Sequence, residues 1–393
     1  MLNLTAQSLS SIELNLMFSP NRIYIDRYMT LIWLLIGYIG NIFSFIIWIE
    51  PKMRRENSSA IYLAALSLND FLVLVFVMIQ DLQYSWNKNV LRYSFCSIYM
   101  VLSTCSQLFS PVLVLAFTIE RWVAICYPFK RQSLCTPKRA IIVSFTLYLF
   151  VLCYNIYNGF MWIYNERFDS CVFNQLETNG TDFQKQYIFA TEIVFSGCVP
   201  LLILGFNILV IKEMYRITKC NRTKSMGNCP QFHDPNQRFN NERSFLFTTI
   251  MLLAVSFYLF FTTLPGGIMF ALQQVITMPD ENMNLSKIPS DPKWQFYFRV
   301  SIIKAVIDEL CISHYALNFV IYLVTGKAFR KQFIDKIRKI ITKFKLTDNF
   351  FSNELVSLNK TNRMELTREN SLDFCHLNDA NNSRRNRLTA KVI

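Results

Sequence analysis

Charge is scarce in this sequence. Only 17% of its 393 residues are Asp, Glu, Lys or Arg, against 52% hydrophobic and 15% aromatic, which is too apolar for an ordinary soluble domain of this size. Histidine is scarcer still, at His233, His314 and His376 alone. With no metal-ligand spacing and no nucleophile-base pair, the sequence argues against an enzyme. It shows no internal repeat with broken helices in matched halves, which counts against a transporter or channel, the rival class for such an apolar chain. The start lacks a basic n-region, and the mildly apolar patch from Leu14 to Phe18 is too short for a signal-peptide core. The first long apolar segment is therefore expected to act as its own insertion signal.

What the sequence does have is apolar length. Seven stretches, at 29–49, 60–80, 96–119, 140–164, 187–211, 245–276 and 299–324, are each about the 20 residues that a helix needs to cross roughly 30 Å of hydrocarbon. The expected fold is all-α: a seven-transmembrane helix bundle in a lipid bilayer. The first, third, fourth and sixth stretches carry no charge; the second holds Asp70, the fifth Glu192, and the seventh Lys304, Asp308 and Glu309, with Arg299 at its outer edge. The formal charge of +13 could suggest nucleic acid, but the basic residues gather in alternate connections. These are Lys52, Arg54 and Arg55; Lys130, Arg131, Lys138 and Arg139; Lys212, Arg216, Lys219, Arg222 and Lys224; and, after the last stretch, Lys327, Arg330 and Lys331. That pattern suits a cytoplasmic membrane surface and excludes nucleic acid as the partner. The fourth connection holds Glu166, Asp169, Glu177 and Asp182, and the sixth Asp280, Glu281 and Asp291. The amino terminus is thus expected outside and the tail inside, at the plasma membrane. The expected organisation is an extracellular segment 1–28, a membrane domain 29–325, an amphipathic helix 326–342 and a disordered cytoplasmic tail 343–393.

Of 11 cysteines, this topology puts only Cys96 and Cys171 where oxidation is favoured, so one disulfide is expected between them, closing a loop of about 75 residues. The alternative is two free thiols. Sequons at Asn3, Asn179 and Asn284 fall outside and could be glycosylated, although those at Asn57, Asn221 and Asn359 fall inside and make sequons weak evidence of topology.

Polar residues and prolines are costly inside a bilayer, so their positions carry the most information. Gly40 and Asn41, Leu66 and Asp70, Glu120-Arg121-Trp122, Pro128 and Phe129, Pro200, Pro265 and Asn318-Phe319-Val320-Ile321-Tyr322 together resemble the signature of rhodopsin-like, class A G-protein-coupled receptors. The interval from Cys96 to Arg121 and the place of Trp86 resemble the same family. Gly326 to Phe333 resembles its short amphipathic eighth helix. There are departures. Glu120-Arg121-Trp122 stands for the family's aspartate-arginine-tyrosine, and Phe245 occupies the place of a helix-six acid that often pairs with the arginine, leaving a resting lock to Glu120 and allowing constitutive activity. Thr262-Thr263-Leu264-Pro265 replaces a cysteine-tryptophan-x-proline run, Phe319 a proline, and Ile208 a tyrosine; no tryptophan stands in the middle of the fourth stretch.

The resemblance implies a receptor coupled to a heterotrimeric G protein. An agonist would favour the form in which the inner end of the sixth helix, hinged at Pro265 with Gly266 and Gly267, has swung outward. Glu120, Arg121, Trp122, Pro128, Phe129, Asn318 and Tyr322 would serve that activation. Asp70, Ser110, His314 and Asn318 match a family pocket for a sodium ion; a neutral histidine hydrogen-bonded to Asp70 is the plainer reading. No other cofactor is implied. Ile312 stands where an opsin has its retinal lysine, and Ser103 where an amine receptor has its aspartate. The end of the seventh stretch resembles that of invertebrate neuropeptide receptors, including those for peptides ending in amidated arginine-phenylalanine. An extracellular peptide is therefore the expected ligand, with a non-peptide ligand the alternative. Gln80, Asp81, Ser103, Gln107, Glu192, Gln273, Lys304 and Asp308 are the candidate ligand-binding residues; Asp308 and Glu192 are the expected partners of a ligand arginine. Against this, Asp308 could pair with Lys304 and Glu192 could bond within the bundle. Ser352, Ser357, Thr361, Thr367 and Ser371 in the tail are candidate phosphorylation sites for arrestin.

Overall fold

A computed structural model describes residues 9, 11–54, 57–88, 90–91, 94–166, 170–173, 181–223, 235–276, 279–280 and 282–343. The chain divides into two units, 1–330 and 331–393. In the second, the described residues 331–343 are helical; the tail beyond them, with its candidate phosphorylation sites, lies outside the described residues.

Among the described residues, seven helices are long and apolar enough to cross a membrane. In order the spans are Pro20–Trp48, Ser58–Tyr84, Phe95–Cys126, Pro137–Phe160, Phe183–Ile217, Thr248–Gln273 and Pro292–Thr325. Their polarity is that of a membrane bundle. Asn41, Asp70, Ser110 and Asn318 are buried, whereas Leu35, Phe145, Phe150 and Phe261 are each more than 60% exposed. A surface of that kind is stable only against hydrocarbon.

The first helix starts at Pro20 rather than at 29, with Ser19 before it and Pro20 at its first position, where the missing N–H costs nothing. A shorter helix, Ser11–Phe18, precedes it and inserts Leu14 into a cluster with Ile288, Trp294 and Phe298. The fourth span begins and ends earlier than expected, at Pro137 and Phe160 rather than at 140 and 164. Its α-helix runs Pro137–Asn155 and tightens into a 3-10 turn at Ile156–Phe160, because Trp162–Asn165 leaves the helix as a strand. That strand pairs antiparallel with Ser170–Phe173, Tyr164 opposite Cys171. The expected disulfide is present: Cys96 and Cys171 are bonded with Cα atoms 5.7 Å apart. It ties the hairpin to the third span beside buried Leu91 and Tyr99.

Pro200 cannot donate to the carbonyl one turn back, and a π-helical turn, Ile193–Cys198, precedes it in the fifth span. The helices of the fifth and sixth spans run beyond their apolar stretches, to Thr223 and from Pro235; residues 224–234 between them lie outside the described residues.

Helices in lipid gain little from hydrophobic attraction to one another, so close packing and buried hydrogen bonds hold them. A Cβ on Gly40 would sit 2.8 Å from the Cβ of Phe319, so only glycine lets the first and seventh spans approach so closely. Asn41 donates to the Tyr315 carbonyl at 2.8 Å, and Asn69 to the Ser106 carbonyl at 2.8 Å. After the seventh span residues 327–343 are helical. Phe329 packs on Trp48 and Tyr322, and Arg330 donates to the carbonyls of Leu323 and Val324.

Candidate functional site

Three polar places lie along the bundle, starting at its hairpin end. There a cavity of about 450 Å³ opens between the first, second, third and seventh spans. Gln80, Asp81, Gln107, Lys304 and Asp308, expected from the sequence, line it together. Ser103, Glu192 and Gln273 do not line it. Ser103 accepts a hydrogen bond from Gln107 at 3.2 Å, and Glu192 accepts one from Ser196 at 2.7 Å on its own helix. Asp308 is ion-paired with Lys304 one turn before it. Both carboxylates singled out for a ligand arginine are thus engaged within their own helices, and Glu192 stands apart from the cavity.

Sequence reading missed the wall supplied by the first span: Arg22, Asp26 and Thr30. Arg22 reaches Ser301 at 2.7 Å and Asp26 at 3.8 Å. Arg27 donates to the Ser85 carbonyl at 2.7 Å and lies 5.0 Å over the Trp86 ring, while the Trp86 indole donates to Asp81 at 3.0 Å. These charges make residues 20–28 look like a solvated approach to the membrane, yet several turn inward on the helix. Glu309 is visible in the sequence as a charge but not as part of the site. It lines the cavity, is 5% exposed and accepts from Thr30 on one oxygen at 2.5 Å.

Midway, Asp70 is fully buried. Ser110 donates to its Oδ1 at 3.0 Å and Asn318 to its Oδ2 at 2.7 Å. Oxygens are what a hard cation takes, so Asp70, Ser110 and Asn318 fit a sodium ion as ligands. His314 fits less well. It offers nitrogen in place of oxygen, and its ring lies 3.7 Å from that of Tyr315; among the described residues Asp70 is bonded to Ser110 and Asn318 and not to His314.

Around Pro265 the two threonines take over from the expected cysteine and tryptophan. Thr262 donates to the Tyr258 carbonyl at 2.9 Å, Thr263 to that of Leu259 at 2.8 Å, and the Cys311 thiol reaches across to the Thr262 carbonyl at 3.1 Å. A Cβ on Gly266 would meet the Cys311 sulfur at 2.6 Å. The helix around Pro265 is therefore packed tightly against the seventh span, with side chains of both helices bonded to its carbonyls.

At the opposite end Arg121 is 5% exposed and lies 3.6 Å from Glu120, which also accepts from Ser58 at 2.5 Å. Asn207, Val210, Thr249, Leu252 and Ser256 of the fifth and sixth spans surround Arg121, leaving a void of only about 10 Å³, so the bundle is closed over it. Thr118 and Ser256 are 3.3 Å apart across this seam. Trp122 packs on Tyr127 and Phe206. Phe129 is 87% exposed; the side chains of Pro128 and Phe245 lie outside those described. Tyr322 is fully buried against Trp48 and Phe329 rather than lining the void at Arg121. Ile208, in the place of a second tyrosine, is 55% exposed on the bundle's flank. Burial pushes the Cys135 thiol, in the connection beside Glu120, up to about 11, with the Glu120 charge adding to the effect.

The profile of the 7 transmembrane receptor (rhodopsin family) matches residues 40–322, from Gly40 through Tyr322. The chain belongs to the rhodopsin family. It is a multi-pass membrane receptor, and the family's members are not enzymes. Over shorter segments this receptor is 34% identical to an FMRFamide peptide receptor of Caenorhabditis elegans, covering 31% of each chain. It is 30% identical to a pyrokinin-1 receptor of Drosophila melanogaster, over 30% of this chain and 27% of that one. To a thyrotropin-releasing hormone receptor of Gallus gallus it is 32% identical over 30% of each. The aligned segments thus span about three tenths of these relatives' lengths.

The sequons expected to be glycosylated divide. Asn3 and Asn179 lie outside the described residues. Asn284 sits in the connection before the seventh span, where its side-chain oxygen accepts from the Ser286 amide and hydroxyl at 3.1 Å each.

Proposed function

We propose that this rhodopsin-family receptor binds an extracellular peptide at the plasma membrane and passes the event to a heterotrimeric G protein, with arrestin as a later partner of its tail. The amino terminus faces outside and the tail inside, a reading supported by the basic residues of alternate connections. One observation carries the reading: an acid-rich cavity at the disulfide-tied end, and an arginine closed over by the fifth and sixth spans at the other. Neuropeptide names recur among the relatives, and a cavity of about 450 Å³ accommodates the end of a peptide. A ligand that binds better when the sixth span has swung about Pro265 shifts the population to that form and uncovers Arg121.

Amidated peptides applied to intact cells test this. Peptides ending in arginine-phenylalanine-amide are expected to stimulate nucleotide exchange on the G protein and to recruit arrestin; applied from outside, they also test the orientation. Silence across a broad panel of amidated neuropeptides, with normal surface expression, would overturn the peptide assignment.

The sodium reading belongs to the same proposal: an ion among Asp70, Ser110 and Asn318 would favour the closed form. Sodium chloride is expected to raise the melting temperature over choline chloride at equal ionic strength, and Asp70→Asn to abolish the difference. Equal melting of the parent in both salts removes the ion.

A further inference from the structure

The hairpin-end cavity is lined by more acidic than basic side chains. Asp26, Asp81, Asp308 and Glu309 line it against Arg22 and Lys304. Three of the four carboxylates have local partners. Asp308 pairs with Lys304, Asp26 lies 3.8 Å from Arg22, and Asp81 accepts from the Trp86 indole at 3.0 Å. Glu309 differs. It is 5% exposed, its Oε1 takes the Thr30 hydroxyl, and its Oε2 is buried with no hydrogen-bond partner. A buried polar oxygen left without a partner costs free energy that an incoming donor recovers, and a charged donor recovers most.

We propose that Glu309 is the anchor for a cationic group of the ligand, a guanidinium in chemical class, received between the first, second and seventh spans. The assignment rests on the peptide reading above and moves the ligand's basic group away from Asp308 and Glu192. Geometry favours guanidinium over ammonium. Its planar fork has five donors, so it can engage Glu309 Oε2 while keeping others for Asp26 on the facing first span. Thr30 holds Glu309 by its other oxygen, which leaves Oε2 as the oxygen without a partner. The site is thus built by the first and seventh spans together, which explains why inward-turned charges crowd the start of the first helix.

Argininamide serves as the probe, since it carries the guanidinium without a peptide. Added to the purified full-length receptor at constant ionic strength, it is expected to raise the melting temperature in a saturable way, while citrullinamide, its neutral isostere, does not. Glu309→Gln keeps the Thr30 bond and removes the charge. It should weaken the apparent affinity by about tenfold or more. Asp26→Asn is expected to weaken it less, and Asp280→Asn, exposed on the connection before the seventh span, not at all. If citrullinamide stabilises as well as argininamide, or Glu309→Gln binds argininamide like the parent, the proposal is overturned. The citrullinamide comparison needs no variant to fold. Should argininamide discriminate while no amidated peptide drives exchange, the cation site stands and the peptide reading falls. Peptide responses equal in parent and Glu309→Gln, with no argininamide effect, would overturn the cation site and leave the peptide reading standing.

Discussion

Replacing Cys171 by serine is expected to lower the stability of the receptor by about 2 to 4 kcal/mol and to deplete it from the cell surface. The disulfide closes a sequence separation of 75 residues. For a fully unfolded chain of that length, loop-closure entropy gives about 4.5 kcal/mol, just above the range. The lower end reflects the bilayer. With the fourth span still helical and inserted, the reduced chain has fewer conformations to gain. Contacts fall with the bond: Trp162, whose carbonyl accepts from Ser97 at 2.9 Å, and Tyr164 both pack on the buried Cys96–Cys171 pair. The measurement is thermal unfolding of purified parent, Cys96→Ser, Cys171→Ser and the double variant, alongside surface labelling. Because one bond is lost in every case, the double variant should melt close to the singles. Single variants that melt with the parent would show that the hairpin is held by its other contacts.

Much of this architecture is legible in the sequence, for a physical reason. Crossing hydrocarbon needs a minimum length of apolar helix, and length is a one-dimensional property. The seven stretches stand out for that reason, and the disulfide because the expected topology puts two cysteines where oxidation is favoured. Helix ends are less legible. The start of the first helix escapes a sequence reading because Arg22, Asp26 and Arg27 look water-facing. Hydropathy records that a charge is present, not that it turns inward to Ser301 or to the Ser85 carbonyl. The end of the fourth is overrun because Trp162 to Asn165 is apolar enough to pass for helix; its strand is made by pairing with residues beyond a turn.

The ligand cavity shows the same limit at the level of one residue. Asp308 and Glu309 are neighbours, and successive positions on a helix point about 100° apart. Sequence alone offers both carboxylates and does not say which faces a partner. Thr30, 279 positions away in sequence, decides it. Glu192 fails for a related reason. The π-helical turn that follows it changes the angular phase of the fifth span, so positions counted back from Pro200 no longer point where an ideal α-helix would put them.

At the Arg121 end, Glu120→Gln is expected to raise basal nucleotide exchange on the order of tenfold, and Arg121→Ala to abolish the response to agonist. Glutamine keeps an acceptor for the Ser58 hydroxyl and alters little but charge. The side chains of Glu120 and Arg121 are 9% and 6% exposed. In so little water, removing one ion of a pair leaves the other's desolvation uncompensated. That penalty falls on the closed form, in which the fifth and sixth spans cover Arg121, and is relieved where the sixth span swings away. A differential of about 1.4 kcal/mol already changes the ratio of forms tenfold. The Thr118–Ser256 contact at 3.3 Å resists the opening, but one neutral contact contributes less than a charged pair. Exchange measured with purified G protein and no ligand separates the outcomes. Unchanged basal exchange in Glu120→Gln, at equal receptor concentration, would mean that the seam between the third and sixth spans, and not the Glu120 charge, keeps Arg121 covered.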